Sequence, residues 1–416
     1  MAIVEQRFKK ATRQHTRDHN IRLVLQTIYD SGEISRADLA RLTHLTRTTV
    51  SDVVSGLIEQ GLIEEVGQGP SGVGRTPTLL SVVEHSRYIV AIDVTATELQ
   101  GAVVNLRGGI EHQARLSLAG PEGNTVLVQL YGFIDRLVDA ADSSLLGIGL
   151  STPGLIDTVN GVVRQAVAFG WQNLPLRSLL QTRYHLPVYV ANDSHTVALA
   201  EYMFGHSQHA ANLVAIKVDY GIGAGIVLHG QLFTGDMYGA GELGHMVIEE
   251  NGLPCKCGNS GCLETLASIP AIVHRAQLLV ERDPDALIHR FAAEPAAITF
   301  DTVLQSFLAG DQAVQQMIAV IGRYLGIGVA NVVTILGVRR VVITGRVAPF
   351  GQVLRDAIWR EVNRRLLPTL AQATEIEIVA QGPDTILLGA AALLLTNELG
   401  LTRLLPRAPR GAEIAA

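Results

Sequence analysis

Apolar residues recur at helical spacing near the start of the chain. Residues 19–32 place them on one face of a predicted helix, which ends at Gly32. Ser35 then caps a second, shorter helix, with Asp38 in the position of a capping box. After a short turn, residues 46–61 predict a third helix. The apolar stripe of this third helix is formed by Val50, Val53, Val54, Leu57 and Ile58.

The opposite face of the third helix is polar. It combines short side chains with one arginine near the helix N-terminus, and such a surface lets a helix enter the major groove and contact base edges. Two strands are predicted at residues 61–66 and 76–83, joined by a glycine-rich hairpin that we interpret as a wing reaching phosphate or a narrow minor groove. Winged helices also dock proteins, so a protein-binding module is the alternative. The residues predicted to bind DNA are Arg47, Thr48, Ser51, Asp52 and Arg75.

Charge separates this leading segment from the rest of the chain. Residues 1–25 carry six basic and two acidic side chains, whereas the whole chain of 416 residues has a net charge of −6. A basic arm on an acidic body indicates an anionic partner at one end, which we take to be double-stranded operator DNA. No apolar run approaches the roughly 20 residues of a membrane span, and the first ten residues lack the apolar core of a signal peptide. We therefore expect a cytoplasmic protein that does not enter a membrane.

The pattern changes near residue 87 to short strands separated by turns. Residues 88–110 and 212–233 share one rhythm of strand, turn and strand. The fragment VAI begins at positions 90 and 214, and a glycine opens the second strand at 101 and 225, so the two halves are offset by 124 residues. An internal duplication of this kind indicates two similar lobes with a cleft between them for a small ligand.

All three cysteines of the chain lie within eight positions, at Cys255, Cys257 and Cys262, and His245 precedes them by ten residues. Such crowding fits metal ligation better than a disulfide framework. One imidazole and three thiolates form the closed tetrahedral set of a structural zinc site, which has no open position for a catalytic water. We therefore predict a structural Zn²⁺ that holds a loop, with three free thiols as the alternative.

Five short motifs extend these observations. In their order and spacing they resemble the ROK family, which groups sugar kinases with sugar-responsive repressors on a two-lobed, actin-like or hexokinase-like α/β fold. The resemblance covers about residues 87–400, and an N-terminal winged helix-turn-helix is typical of the repressor branch, which includes xylose- and N-acetylglucosamine-type repressors. The motifs are LSTPGLID (150–157), VANDSHTVALAE (190–201), GIGAGIVLHGQLFTG (221–235), GELGHM (241–246) and CKCGNSGCLE (255–264).

The resemblance implies a sugar pocket beside the zinc loop. Carboxylates accept strong hydrogen bonds from sugar hydroxyls, and the zinc would fix Glu242 relative to Glu264. We also expect Trp171 to face the sugar. For any single acid of the pocket, a solvated surface charge is the alternative. The predicted sugar-binding residues are Asn192, Asp193, Glu242, His245, Glu264, Asn173 and Gly154, and the implied zinc ligands are His245, Cys255, Cys257 and Cys262.

Asp193 matches the catalytic base of the family's kinases, but the nucleotide loops depart from the kinase pattern. Glycine is needed where backbone amides approach nucleotide phosphates, and this chain has other residues there. We therefore predict no catalytic residue and a repressor that releases palindromic operator DNA on binding sugar. An active sugar kinase, or a repressor controlled by protein docking, is the alternative. The departing positions are Thr95, Ala96, Asp219, Tyr220, Thr344 and Arg346.

These assignments predict a domain plan. We expect the winged helix at residues 1–86, the first lobe at 87–200 and the second lobe with its zinc loop at 201–380. A final helix near 384–400 should pack back on the first lobe. A homo-oligomer, dimer or tetramer, is expected because two winged helices double the phosphate and base contacts on a palindromic site.

Overall fold

A winged helix-turn-helix comes first in the computed structural model, which describes residues 12–69, 76–120, 122–141, 144–205, 210–283, 286–292 and 294–401. Its elements are α1 (Arg13–Ser31), β1 (Ile34–Ser35), α2 (Arg36–Thr43), α3 (Arg47–Glu59), β2 (Ile63–Gln68) and β3 (Thr78–Val82). Strand β3 pairs antiparallel with both β1 and β2. The predicted helices and wing strands are confirmed, whereas Arg75 at the base of the wing lies outside the described residues.

Side-chain caps set the starts of the two short helices. The Ser35 hydroxyl accepts the Asp38 backbone N–H at 3.1 Å and begins α2, as predicted. The Thr46 hydroxyl accepts the Thr49 N–H at 3.2 Å and begins α3. Because these caps satisfy otherwise unpaired backbone donors, the first turn of α3, which contains Arg47, has a fixed start.

The first lobe is built on a mixed sheet in the strand order β11–β7–β4–β5–β6. Its elements are β4 (Tyr88–Val94), β5 (Glu98–Asn105), β6 (Ile110–Ser117), α4 (Gly123–Ala140), β7 (Leu145–Thr152), β8 (Leu155–Asp157), β9 (Val162–Ala166), β10 (Trp171–Leu174), α5 (Leu176–Tyr184), β11 (Val188–Asn192) and α6 (Asp193–Phe204). Strands β4, β7 and β11 are parallel. Their carboxyl ends therefore meet at one edge, which is where ligands bind in sheets of this kind.

The second lobe repeats this arrangement. Its elements are β12 (Leu213–Val218), β13 (Ile222–Leu228), β14 (Gln231–Leu232), α7 (Leu263–Ala267), α8 (Ile269–Arg282), α9 (Phe300–Leu308), α10 (Gln312–Leu336), β15 (Arg340–Thr344), α11 (Gly351–Arg365), α12 (Pro368–Ala373) and β16 (Glu375–Ile378). The strand order is β14–β13–β12–β15–β16, with β12 antiparallel to β13 and parallel to β15. Strand β12 thus takes the place of β4, and the predicted duplication is confirmed.

The last helix, α13 (Thr385–Glu398), returns to the first lobe. It packs against β4, β7 and α6. A Cβ atom on Gly389 would lie 1.9 Å from the Thr196 carbonyl oxygen, so the two helices approach as closely as they do only because residue 389 is glycine. The apolar residues of α6 and α13 belong to a core that continues into the winged helix through residues such as Val24 and Ile28.

Helix α10 is the one helix among the described residues whose length and apolar composition would suit a membrane span. It packs along α11 in the core of the second lobe. Cβ atoms on Gly322 and Gly326 would lie 2.5 Å from Ala357 and 2.7 Å from Glu361. This close packing against a neighbouring helix accounts for its apolar composition.

Candidate functional site

The four residues of the predicted metal site lie together in the loop before α7. Ligand atoms of His245, Cys255, Cys257 and Cys262 are all within 4.8 Å of one another. The Sγ atoms of Cys257 and Cys262 are 3.7 Å apart, and Cys255 Sγ is 3.7 Å from His245 Nδ1. Tetrahedral zinc with Zn–S bonds of about 2.3 Å separates two sulfurs by about 3.8 Å. The cluster could therefore hold a metal ion of this kind.

Tight turns direct these ligands toward one point. Gly258 and Gly261 have φ values of 97° and 70°, which glycine adopts without strain. A Cβ on Gly261 would also lie 1.6 Å from the Glu249 carbonyl oxygen. The Cys255 N–H donates to the Asn259 carbonyl at 2.7 Å. The backbone itself therefore holds the loop in the shape that brings the thiols together.

Asn192 and Asp193 lie where β11 ends and α6 begins. Asn192 caps the helix, since its Oδ1 accepts the Ser194 N–H at 2.8 Å while its Nδ2 donates to the Gly154 carbonyl at 2.8 Å. Asp193 Oδ1 accepts the same Ser194 N–H at 2.9 Å. The helix N-terminus favours negative charge at this position. Three of the predicted sugar-binding residues, Asn192, Asp193 and Gly154, are therefore neighbours.

Lys217, on β12 of the second lobe, forms an ion pair with Asp193 that the sequence analysis did not predict. Its Nζ lies 2.6 Å from Asp193 Oδ2, and the two side chains are 14% and 24% exposed. Burial alone would lower the pKa of Lys217, but the charges of Asp193, Asp219 and Asp93 outweigh burial and raise it. The one available signal was a single lysine within the apolar run LVAIKV, in a chain with four lysines.

Asp93 is a further acidic residue, at the carboxyl end of β4. It is 5% exposed and pairs in sheet register with Ser151 of β7. Burial raises the pKa of Asp93 to about 6, the Lys217 charge opposes the rise, and the Asp193 charge adds to it. The carboxyl edge of the first sheet is therefore acidic, with Lys217 reaching into it from the other lobe.

Glu242 and Glu264 flank the metal cluster. Glu264 follows Cys262 by two residues on α7, is 9% exposed, and accepts the Ile222 N–H at 3.1 Å through Oε2. Glu242 Oε2 lies 3.8 Å from His245 Nε2. Partial burial raises the pKa of Glu242; His245 opposes this rise, and the charges of Asp193 and Glu264 add to it. The charges of Asp193 and Glu264 thus act on Glu242, which is consistent with one shared site for the three carboxylates.

Trp171 belongs to the first-lobe core, and Asn173 lies on the same strand, β10. Trp171 is 6% exposed, packs on Phe169 with ring centroids 4.6 Å apart, and donates its indole N–H to the Gly123 carbonyl at 3.0 Å. The expectation that Trp171 faces the sugar is therefore wrong, because its ring and its polar atom both belong to the first-lobe core. Asn173 has a left-handed backbone, with φ of 50°, and accepts a bond from Arg164 at 3.4 Å.

The predicted DNA-reading face of α3 is solvent-exposed. The valines and the leucine of the opposite stripe, apart from half-buried Ile58, are buried in the winged-helix core. A recognition helix needs such an exposed polar face to enter the major groove. The exposed residues are Arg47, Thr48, Ser51, Asp52 and Ser55.

Direct bonds join the winged helix to the first lobe. The Tyr29 hydroxyl of α1 donates to the Leu106 carbonyl at 3.0 Å. Arg107 lies over the Tyr29 ring, 4.3 Å from its centroid, and donates to the Tyr29 carbonyl at 2.5 Å. Arg87 donates to the Gln60 carbonyl at 3.2 Å. The winged helix is therefore attached to the lobe that carries Asn192 and Asp193.

The departing nucleotide-loop residues make their own contacts. The Thr95 hydroxyl donates to the Glu98 carbonyl at 2.9 Å and accepts the Glu98 N–H at 3.1 Å, which closes the turn between β4 and β5. Arg346 donates to the Tyr220 hydroxyl at 3.1 Å and to Asp301 at 3.1 Å. Its guanidinium also lies 4.8 Å from the Phe300 ring centroid.

Comparison with known proteins gives the family. The ROK family model matches residues 89–397, and a MarR family model matches residues 22–72. The chain belongs to the ROK family. A crystal structure of a ROK family transcriptional regulator, homologous to the Escherichia coli MLC protein, superposes with a TM-score of 0.83 at 28% identity, over 93% of this chain and 98% of that chain.

Two relatives represent the two branches of this ROK family. The xylose repressor of Caldicellulosiruptor bescii is 32% identical over 91% of this chain and 95% of its own length. The glucokinase of Halalkalibacterium halodurans is 31% identical over 75% of this chain and 96% of its own length. A winged helix followed by a ROK domain is the organisation of a DNA-binding repressor. This chain has that organisation and matches the xylose repressor along 91% of its length.

Proposed function

We propose that the protein is a sugar-responsive transcriptional repressor that binds palindromic operator DNA and releases it when a sugar binds between the lobes. The observation that carries this proposal is the direct bonding of the winged helix to the first lobe: Tyr29 donates to the Leu106 carbonyl, and Arg107 and Arg87 donate to carbonyls of the winged helix. Because these parts pack as one body, a ligand that moves the first lobe relative to the second also moves the DNA-binding helix. A ligand with different affinities for the two arrangements then changes the affinity for DNA.

The operator-binding surface would be the polar face of α3 together with the wing. Arg47, Thr48, Ser51 and Asp52 are exposed and stand near the start of the helix, the part that reaches base edges in helix-turn-helix proteins. We assign Arg75 to the phosphate backbone beside them. One such surface is small, so we propose a homo-oligomer, dimer or tetramer, in which two winged helices bind the two halves of a palindrome.

The sugar pocket would be formed by the carboxylate set and its amide neighbour. Asn192, Asp193, Glu242 and Glu264 offer acceptors and donors suited to several hydroxyls, and we keep Asn173 and Gly154 as outer members. We assign a structural Zn²⁺ to the Cys₃His cluster, with His245 serving both sites. A zinc bound there would fix the loop between Glu242 and Glu264 and hence their relative positions.

We propose that the protein does not phosphorylate its sugar. Asp193, which matches the kinase base, is engaged by Lys217 at 2.6 Å. The Thr95 hydroxyl fills the turn in which kinases of this family have glycine. Asp219 adds negative charge beside the second glycine loop, where nucleotide phosphates would be repelled.

We propose the domain extents 1–86, 87–200 and 201–380, with α13 completing the first lobe, and a cytoplasmic location. The boundary near 86 falls between β3 and β4, and the boundary near 200 lies toward the end of α6. Both divisions keep each of the four sheets of the described residues within a single unit.

Operator affinity measured with and without sugar tests the function. The operator would be a fragment selected by the protein from random-sequence DNA, and the sugar one that raises its unfolding temperature. We expect the sugar to weaken operator binding by about 1 to 3 kcal/mol. Asp193→Ala and Glu242→Ala should bind operator normally and fail to release it. Equal operator affinity with and without a sugar that demonstrably binds would refute the sensor function and favour control by protein docking.

A further inference from the structure

The ion pair between Lys217 and Asp193 connects the two lobes at the proposed sugar pocket. Lys217 lies on β12 between Gly223 of β13 and Thr344 of β15 in the sheet register. A Cβ on Gly223 would lie 2.3 Å from Ser194 Oγ, so the start of α6 presses against this part of the second sheet. The close approach is what lets a second-lobe lysine reach a first-lobe carboxylate.

Both oxygens of Asp193 are held. Oδ2 is bonded to Lys217 at 2.6 Å, and Oδ1 accepts the Ser194 N–H at 2.9 Å. A carboxylate fixed at both oxygens keeps its remaining lone pairs in a constant direction, which favours binding of a hydroxyl without reorganisation. Both side chains of this ion pair are largely buried. Breaking it should therefore cost more free energy than breaking an exposed surface pair.

The two lysines that the described residues place beside the pocket are engaged in ion pairs. Lys217 lies 2.6 Å from Asp193, and the charges of Asp219 and Asp93 also favour its charged form. Lys256 lies 3.1 Å from Glu264. A phosphate ester carries about two negative charges and would meet a surface whose positive charges are paired.

We propose that Lys217 is a positioning residue that fixes Asp193 as a hydroxyl acceptor, and that the pocket with its paired cations therefore takes an uncharged sugar and not a sugar phosphate. This inference rests on the proposed sugar-sensing function and narrows its ligand class. The lysine acts through Asp193, so its effect on affinity should disappear when Asp193 no longer carries a charge.

Calorimetric titration of the full chain with matched ligands tests the ligand class. The ligands would be D-glucose, D-xylose and N-acetyl-D-glucosamine, each beside its terminal phosphate ester. At least one free sugar should bind, and its phosphate should bind about tenfold more weakly or worse. A phosphate that binds more tightly than its parent sugar would overturn the ligand class while supporting the sensor. Binding of none of the six would count against the sensor function itself.

A double-mutant cycle tests the role of Lys217. Lys217→Met should weaken binding of the free sugar about tenfold. The reason is that Asp193, the charged hydrogen-bonding partner of the sugar, is then no longer held in place. In an Asp193→Asn background the same substitution should change affinity by less than about twofold. The positioning role would be overturned if Lys217→Met weakened sugar binding equally in the wild-type and Asp193→Asn backgrounds. It would also be overturned if Lys217→Met left sugar affinity unchanged in the wild-type background.

A matched control separates positioning from folding. Arg340→Met removes a cation from β15 of the same sheet. The Arg340 side chain is 17% exposed and is bonded to Glu377 at 2.7 Å. It should lower the unfolding temperature and leave sugar affinity unchanged. The double variant of Lys217 and Asp193 removes both charges together, so it remains measurable if Lys217→Met alone unfolds. A loss of sugar affinity in Arg340→Met equal to that in Lys217→Met would assign the effect to sheet stability and overturn the proposal.

Discussion

Removing one thiolate from the Cys₃His cluster tests how far the second lobe depends on it. Cys262 is the informative ligand, because it is fully buried and immediately precedes α7, which carries Glu264. Cys262→Ser nearly preserves side-chain size and removes the sulfur ligand. We expect the variant to lose its zinc, to lose stability in the second lobe, and to bind sugar weakly because Glu264 is no longer held.

The magnitude follows from the geometry of the loop. The sulfur separation of 3.7 Å is already close to that of tetrahedral zinc, about 3.8 Å, so little of the binding free energy is spent on rearrangement. Apparent binding free energies of structural zinc are on the order of 10 kcal/mol, comparable with the whole stability of a domain, about 5 to 15 kcal/mol. Backbone bonds such as Cys255 N–H to Asn259 do not involve the thiolates and should offset part of the loss. We therefore expect a loss above about 4 kcal/mol, at the upper end for a single substitution.

The assay combines metal content with unfolding. Elemental analysis should give one zinc per chain for the wild type and much less for Cys262→Ser, and a chelator should lower the unfolding temperature of the wild type only. Ser260→Ala is the control, since Ser260 lies exposed in the same loop and should keep both zinc and stability. Wild-type protein without stoichiometric zinc, or a Cys262→Ser variant as stable as the wild type, would refute this reasoning.

Three further outcomes are expected. No sugar should be phosphorylated above background; ADP production that depends on sugar and disappears in Asp193→Ala would contradict this. Arg47→Ala should cost about 1 to 3 kcal/mol of operator affinity and relax specificity at one base pair, whereas Arg75→Ala should weaken operator and random DNA alike in binding assays. Because the folded-state pKa of Asp93, about 6, exceeds its ordinary 3.8, this group's contribution to stability is present below pH 3.8 and lost as the pH rises through 6. Asp93→Asn should therefore raise the free energy of unfolding by up to about 3 kcal/mol at pH 7.5 and by little at pH 4, measured by urea unfolding.

The winged helix could be predicted because its signals are local. The Ser35 cap and the spacing of Val50, Val53 and Leu57 determine their helices within one or two turns of chain. The Cys₃His cluster was predictable for the same reason, since its three thiols are close in sequence. The duplication could be predicted because the equivalent strands β4 and β12 contain the same short apolar fragment, VAI.

Lys217 and Trp171 could not be interpreted correctly from sequence because their partners are distant. Lys217 meets Asp193, 24 residues earlier, only after β12 and α6 have packed together. Trp171 donates to Gly123, 48 residues earlier, and nothing local distinguishes a tryptophan bonded within the core from one facing a ligand. An indole N–H needs a partner when it is buried, but its identity depends on the tertiary fold.

The same packing gives the proposed sugar pocket a physical route to the winged helix. Asp193 begins α6, and Thr196, one turn later, contacts Gly389 of α13 so closely that no side chain fits between them. Beyond α13, a Cβ on Gly400 would lie 2.7 Å from the Arg22 side chain of α1. Packed helices respond to a ligand by shifting between discrete arrangements, since a close-packed interior deforms little. In the proposed sensor, a sugar that moves the first lobe relative to the second would therefore act on α1 through the contacts at Gly389 and Gly400. The size of the response would be limited by the difference in sugar affinity between the two arrangements.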